Sequence, residues 1–597
     1  MKNFLIALIS LIVIFSCQSE KKATKAETKV AKVNSDFDQV LEDYYQEGLK
    51  LNPLIATSQG DNRYNDYMPD FLSKDYQDQL KNYYVNYKNK ANAFEDSALS
   101  DTQRMSKDIL IWECDINLEG MEFDSDLTPI NQMWTLQLNI GQLASGASAQ
   151  PFKTVEDYEM WLSRLDGYLD WLNSAEKKMK EGIDNNYVLP KSLIAKVLPQ
   201  LKAMTVTNLD EHLFFAPVRN FPDSFSTEDK QRLKESYEAK IENEIIPAYT
   251  KLYNFMKDEY LPSGRDSDGF AALPNGEALY NHQIKLYTTT DMTADQIHQL
   301  GLDEVERILT EMEKVKNEVG FEGDIISFFD HVRENKELMP FSKPQEIIEN
   351  FNAIHETMTP QINKLFDLKP KTDFEVRRTE AFREKSASAE YNPGSLDGTR
   401  PGIFYVPIPD ADSYNIYSDE SLFLHEAIPG HHYQISLQQE NEKLPKFRKS
   451  LWYSAYGEGW ALYSESLGKE LGLFTDPYQY FGMLSAEMHR AIRLVVDTGL
   501  HSKGWSREKA IQYSLDNEAE SEASITSEIE RYMANGGQAL SYKIGQLKIR
   551  ELRAKAENEL GNNFKIAQFH NEVLRSGCVP LAILEDNINS WINESKQ

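Results

Sequence analysis

Residues 293–312 read TADQIHQLGLDEVERILTEM, and the fold class follows from how that stretch is spaced. Thr293 and Gln296 stand as a capping-box pair, the signature of a helix start. Ile297, Leu300, Val305, Ile308 and Met312 then recur at helical spacing, an apolar stripe on an otherwise charged segment. The same periodicity runs through 36–50, 154–182, 228–258, 344–366, 447–470, 478–500 and 537–559. Strand-like stretches are few: Phe374 to Arg378, and Gly402 to Ile408 (GIFYVPI). No fixed-period repeat is present, which disfavours a solenoid. The pattern predicts a mainly α chain, a large helical domain with a small β-hairpin or sheet just before its chemistry.

The N-terminus differs from the rest. Lys2 precedes an apolar run from Phe4 to Phe15, followed by Ser16, Cys17 and a polar stretch. A basic start and a short hydrophobic run read as a secretory signal, too short for a stable membrane span. The tetrad Ile14-Phe15-Ser16-Cys17 resembles a bacterial lipobox, whose Cys becomes the lipidated N-terminus. Phe15 is bulkier than the usual residue at its place. Residues 1–17 are thus expected to be a lipoprotein signal and 18–35 a flexible tether. The body, 36–597, divides into an N-terminal helical part (about 36–370) and a catalytic part (about 371–597).

Composition narrows the partners. Among 597 residues, 41% are apolar and 26% charged, as in an ordinary globular protein. Lys and Arg number 64 against 94 Asp and Glu, a formal charge of -30. Such a balance excludes nucleic acid, whose binding rests on phosphate neutralisation. It would also repel an anionic lipid surface, so membrane attachment is expected through the lipid on Cys17. That places the protein at the bacterial cell envelope, periplasmic or at the cell surface. Cys114 and Cys578 are left either to pair there or to stay as buried thiols.

The chemistry concentrates at His425-Glu426-Ala427-Ile428-Pro429-Gly430-His431-His432. Ser418 is placed to cap a helix whose first turn holds Asp419 and Glu420. In the zincin motif, two His four apart on one helix face bind zinc, and the Glu beside the first is the general base. Here position i+4 is Pro429, so the plain motif is absent. Pro-Gly distorts a helix, and two residues bulging out would return His431 to the second ligand's place. Without a bulge, His432 would share the face of His425 instead. His431 is the preferred second ligand and His432 the alternative.

Three His fall within these eight residues, out of 11 in the chain. A third ligand is expected from Tyr456-Gly457-Glu458-Gly459-Trp460-Ala461, where small residues would let one helix approach another closely. Glu458 is that ligand, and Glu465, seven residues on, could orient a ligand from behind. Two His and one Glu would hold one Zn2+ per chain with a position open for water, a catalytic arrangement.

These residues and their surroundings resemble a bacterial family catalogued as domain of unknown function 885, grouped with gluzincin-type metallopeptidases. The resemblance rests on Tyr391-Asn392-Pro393-Gly394-Ser395, Asp397 to Gly402 and the His-Glu-x-x-Pro-Gly-His-His segment. It continues through Glu458 to Ala461, Arg493 to Gly499 with His501, and Gly537 to Lys543. Gly536-Gly537 departs from the Pro-Gly expected there. The resemblance implies zinc, a mostly helical peptidase fold and hydrolysis of peptide bonds, without naming a substrate.

Arg490, Arg493, Asp497 and His501 fall within one stripe of about 80° on a helix. One reading has Asp497 or His501 supporting the reacting centre while an Arg holds a substrate carboxylate; the other is a salt-bridged face of little energetic weight. Tyr532 and Tyr542 are candidates to hydrogen-bond a developing oxyanion. The mechanism expected is zinc-assisted hydrolysis of a peptide, with Glu426 taking a proton from water and delivering it to the leaving amine. The segment 402–408 could present a strand edge to an extended peptide. The alternative function is a non-catalytic helical lipoprotein that captures a substrate.

Overall fold

The capping box at the head of 293–312 closes in the computed structural model, which describes residues 32–380, 384, 387–395 and 400–596. The Thr293 hydroxyl accepts from Gln296 N–H (3.3 Å) and the Thr293 N–H donates to the Gln296 side chain (2.9 Å). The helix it starts, Ala294–Glu318, buries Ile297, Val305, Ile308 and Met312 and leaves Leu300 half-buried. It lies along Pro477–His501, and Gly301 makes the contact possible: a Cβ there would stand 2.7 Å from Leu494 Cβ.

Helices dominate the described residues, as expected. They include Val155–Asp184, Thr227–Lys240, Pro344–Leu365, Pro477–His501 and Ser541–Leu560. The first described helix covers 32–51, so residues 32–35 are helical rather than tether. The Asn34 carbonyl accepts from Gln103 Nε2 and Phe37 is fully buried, which ties this turn down. The rest of the tether, the signal segment and Cys17 lie outside the described residues.

The pattern over 447–470 is broken in two. Lys446–Lys449 and Ser454–Glu465 are helical, and the chain between them is held open. Gln438 donates to the carbonyls of Arg448 and Leu451, while Tyr453 N–H donates to Cys578 Sγ. Cys114 and Cys578 are both free and buried.

The sheet has three strands: β1 (Phe374–Arg378), β2 (Glu390–Asn392) and β3 (Gly402–Val406), in the order β1-β3-β2. β3 pairs parallel with β1 and antiparallel with β2. It therefore has no free edge, and the expectation that 402–408 offers one to a peptide does not hold. Its burial explains the continuous apolar run, since Ile403, Phe404 and Val406 all face packed surroundings.

One apolar core unites 37–114 with residues from 280 to the Leu581–Ser595 helix. A second lies within 68–260 and is rich in aromatics, among them Tyr158, Trp161, Tyr168, Trp171 and Tyr249. Each such side chain contributes about 1.5–3 kcal/mol by leaving water. The Tyr168 and Tyr249 hydroxyls, which cannot go unpaired there, bond each other at 2.7 Å. No described helix is long and apolar enough to cross a membrane.

Candidate metal centre

The His-Glu motif straddles two short helices, Asp419–Glu426 and His431–Glu440. Ser418 sits at the first N-cap but its hydroxyl makes no cap bond. Gln479 from the Pro477–His501 helix does that work, accepting the Glu420 N–H at 3.1 Å. Asp419 is buried and accepts from Tyr414 and Asn350. It stands in the first turn as expected, but burial pushes its carboxyl up to about 8.

Between the helices, Ala427 to Gly430 leave helical geometry, with a cis peptide bond at Ile428-Pro429. The Pro429 carbonyl accepts from Trp460 Nε1 (2.8 Å), pinning the break to the Ser454–Glu465 helix. Gly430 is required by space: a Cβ would meet the His425 carbonyl oxygen at 1.9 Å. This is the bulge anticipated from Pro-Gly, and it turns His431 back beside His425, ring centroids 4.8 Å apart.

Glu458 completes the cluster. Its Oε2 lies 3.5 Å from His425 Nε2 and 3.4 Å from His431 Nε2. One donor atom from each of the three residues falls within 4.8 Å of the others. A tetrahedron with zinc–ligand bonds of about 2.0–2.1 Å has edges of about 3.3–3.4 Å, so the separations to Glu458 fit that ion. The helix carrying Glu458 is drawn in by glycine on glycine: a Cβ on Gly459 would stand 2.5 Å from Gly545 Cα.

Behind the cluster, Glu465 Oε1 lies 2.7 Å from His425 Nδ1, and its Oε2 accepts from the Ser421 hydroxyl at 2.7 Å. That leaves Nε2 of His425 directed at the cluster. His431 Nδ1 is buried without a partner. Burial opposes charge on His425 and Glu458, yet opposite charges prevail. Glu458 and Glu465 hold the His425 imidazolium up to about 9, and the two imidazoles hold Glu458 well below the usual carboxylate range. Two imidazoles and a carboxylate arranged this way are donors of the kind that could hold a divalent cation in place of protons. Glu426 is buried beside the cluster, and burial raises its carboxyl above the ordinary range although both imidazoles work against it.

His432 points elsewhere. Its Nδ1 is 3.0 Å from the Tyr391 hydroxyl and its ring packs on Phe374, so it belongs to the sheet side. Burial pushes it down to about 4, a neutral ring. The stripe on Pro477–His501 is divided. Arg490 is among the charges acting on Glu426, and Arg493 lies 4.6 Å from the Tyr542 ring centroid. Asp497 and His501 instead face another wall. Asp497 accepts from the Tyr280 hydroxyl (2.6 Å) and Gly537 N–H (3.0 Å), and burial lifts its carboxyl to about 7. His501 accepts the Phe270 N–H at Nδ1 (3.1 Å) and lies 3.0 Å from the Tyr532 carbonyl at Nε2. Both nitrogens are thus spoken for by backbone, which leaves none for a substrate. Gly536 fits against that ring, where a Cβ would stand 2.7 Å from Nε2. Tyr532 bonds Arg493 and Glu528 rather than facing the cluster alone. Tyr542 is half-buried, one residue from Ser541, whose hydroxyl meets that of Ser454 at 2.7 Å.

Two features escaped the sequence reading. Trp452, 43% exposed, stands 5.7 Å from the His431 ring and covers Gly457. His489, Glu518, Glu528 and Arg531 form a charged network around Arg493. Their signal was only ordinary surface-like charge, and it is the packing of the Glu522–Ala534 and Pro477–His501 helices that gathers it around Arg493.

The family model of a bacterial protein of unknown function, DUF885, matches residues 53–588. No functionally curated protein matches the sequence. Among solved structures, a candidate lipoprotein from Colwellia psychrerythraea is 29% identical, with a TM-score of 0.84 over 94% of this chain and 99% of that one. A candidate lipoprotein of unknown function from Shewanella oneidensis shares the fold at 18% identity, with a TM-score of 0.72 over 92% of this chain and 99% of that one.

Proposed function

This chain belongs to the bacterial protein family of unknown function DUF885, and within that family we propose that it is a zinc-dependent peptidase acting on peptides outside the cytoplasm. One observation carries the reading: two imidazoles and a carboxylate converge, with a buried Glu beside the first imidazole and a second Glu behind it. His425, His431 and Glu458 would hold the ion. When bound, zinc would lower the pKa of a water and polarise the scissile carbonyl.

The remaining work falls to the protein's own groups. Glu465 fixes the ring of His425 through Nδ1. Glu426 takes the proton of the attacking water and hands it to the leaving amine, and its raised proton affinity suits both transfers. Tyr542, half-buried on the Ser541–Leu560 helix whose Gly545 packs on Gly459, is the residue proposed to donate to the carbonyl oxygen as it gains charge. Attachment to a membrane is through lipid on Cys17, in keeping with the description of both structural neighbours as candidate lipoproteins.

The test compares wild type and Glu426→Gln on a peptide library, with metal content and melting followed in parallel. Both should carry about one zinc per chain, and the variant should turn over about 10²–10⁴-fold more slowly. A metal-free preparation with full activity would end the reading. A variant cleaving at the wild-type rate would remove Glu426 from it. The capture function keeps one observation in its favour: a cavity of about 1150 Å³ among residues 70–286, lined by none of these site residues. It gains if neither protein cleaves any peptide while both hold zinc.

A further inference from the structure

Arg490 and Arg493 stand one turn apart on the Pro477–His501 helix, and both have donors left over. Arg493 is nearly enclosed, at 7% exposure. Its Nε donates to the Tyr532 hydroxyl (2.9 Å), and its Nη2 donates to Glu528 (3.0 Å) and lies 3.1 Å from the His489 ring. Its Nη1 is buried and unpartnered. Arg490 gives Nη1 to the Ala486 carbonyl (3.3 Å) in its own helix, while its buried Nε bonds nothing. Among the described residues, no carboxylate lies within ion-pair distance of Arg490. Arg531 also keeps a buried, unpartnered Nε. Buried charged donors without acceptors are costly, and three arginines in one corner each carry one.

Charge points the same way. The cations facing this corner are Arg490, Arg493, Arg531 and His489; the carboxylates are Glu518 and Glu528, with Glu426 on the neighbouring helix. Glu518 is taken by His489 Nδ1 at 2.5 Å, and Glu528 is shared by Arg493, Arg531 and the Tyr532 hydroxyl. A positive surplus remains, in a chain of formal charge -30.

The corner borders the candidate centre on two sides. Gly482 lies against Tyr417 and Ser418, where the Asp419–Glu426 helix begins. Eight residues on from that contact along each helix stand Glu426 on one and Arg490 on the other. Arg493 is one turn further, about 4.5 Å along the axis. On the other side its guanidinium covers Tyr542, three residues before the Gly545 that touches Gly459 beside Glu458.

We propose that Arg490 and Arg493 hold the α-carboxylate of a peptide's C-terminal residue, so that the protein is a carboxypeptidase releasing one or two residues. The proposal rests on the zinc-peptidase reading above. Two guanidiniums with free N–H groups match a planar carboxylate, and a C-terminus anchored this close to the centre confines cleavage to the last bonds. In the reaction water's oxygen joins the acyl carbon, the C–N bond breaks, and the amine leaves with the proton carried by Glu426.

The experiment uses N-acetylated hexapeptides randomised at the last two positions, made both as free acids and as C-terminal amides. Binding is measured on zinc-loaded Glu426→Gln protein, and cleavage on zinc-loaded wild type. Free acids should bind about 10–100-fold tighter than amides, the scale of a charged hydrogen-bond pair, and should be shortened from the C-terminus. Arg490→Gln, at the less embedded of the two positions, should abolish that preference with zinc content and melting unchanged. Equal binding and cleavage of acids and amides, or cleavage at internal bonds, overturns the proposal and leaves the peptidase reading intact. A preference that follows Asp or Glu side chains in the amides also overturns it, since the arginines would then read side chains. If zinc-loaded wild type cleaves neither set, the peptidase reading fails and the carboxypeptidase proposal fails with it.

Discussion

His425 Nδ1 lies 2.7 Å from Glu465 Oε1, and both side chains are almost sealed from water. The contact fixes which ring nitrogen faces Glu458 and adds basicity to it. The second oxygen of Glu465 is committed to Ser421, so the carboxylate cannot swing away. Glu465→Gln retains the shape and loses the charge. It should weaken zinc binding about 10–100-fold, read by chelator competition, with the fold preserved. Unaltered affinity would mean that His425 needs no such support.

Gly459 and Gly545 bring two helices into backbone contact, with a Cβ on Gly459 placed 2.5 Å from Gly545 Cα. Neither backbone can yield as a flexible side chain would. Gly459→Ala should cost about 1–3 kcal/mol and, because Glu458 is the adjacent residue, should also weaken metal binding. Thermal melting and chelator competition check both arms. A variant destabilised with metal affinity intact would show that Glu458 adjusts independently of the helix contact.

Cys17→Ala should shift the protein from membranes to the soluble fraction while leaving metal content and turnover unchanged. The lipobox lies outside the described residues, and the first buried side chain of the body is Phe37. Cys17 stands 20 residues before that side chain, so loss of the lipid should leave the packing of the described body in place. Fractionation of cells expressing either protein decides it, and unchanged membrane association would remove the lipid anchor.

The helical class was legible because amphipathic spacing is local: Thr293, Gln296 and the stripe behind them need no partner to be recognised. The cluster was legible for a related reason, since His425, Glu426 and His431 sit within seven residues and Glu458 is framed by Gly457 and Gly459. What sequence could not give was direction. Asp497 and His501 share a stripe with Arg493, yet the neighbouring Tyr280, Phe270 and Gly537 engage them and take them off the site wall. Likewise the apolar run of β3 says that the strand is buried, not that both of its edges are paired. Ser418 reads as a cap, but a glutamine 61 residues later takes its bond. Such outcomes depend on which long-range neighbours the fold brings against each polar group and strand edge.

His501 makes the sharpest case for a structural rather than a reactive role. It is fully buried, its Nδ1 accepts the Phe270 N–H, and its Nε2 faces the Tyr532 carbonyl. That pairing needs a neutral ring with its proton on Nε2. Burial pushes the imidazole down to about 3, against an ordinary value of about 6.5. A folded-state value below the unfolded one means the unfolded chain binds protons first. The stability His501 provides is thus present above about 6.5 and lost as pH falls from there toward 3. His501→Gln cannot serve both backbone groups with the same geometry, so it should melt below wild type at pH 8. The gap between the two melting temperatures should narrow steadily between pH 6.5 and 4, as wild type alone bears the cost of protonating that ring. A gap that stays constant over that range would contradict the burial account. A variant that melts like wild type but loses turnover would return His501 to the reaction.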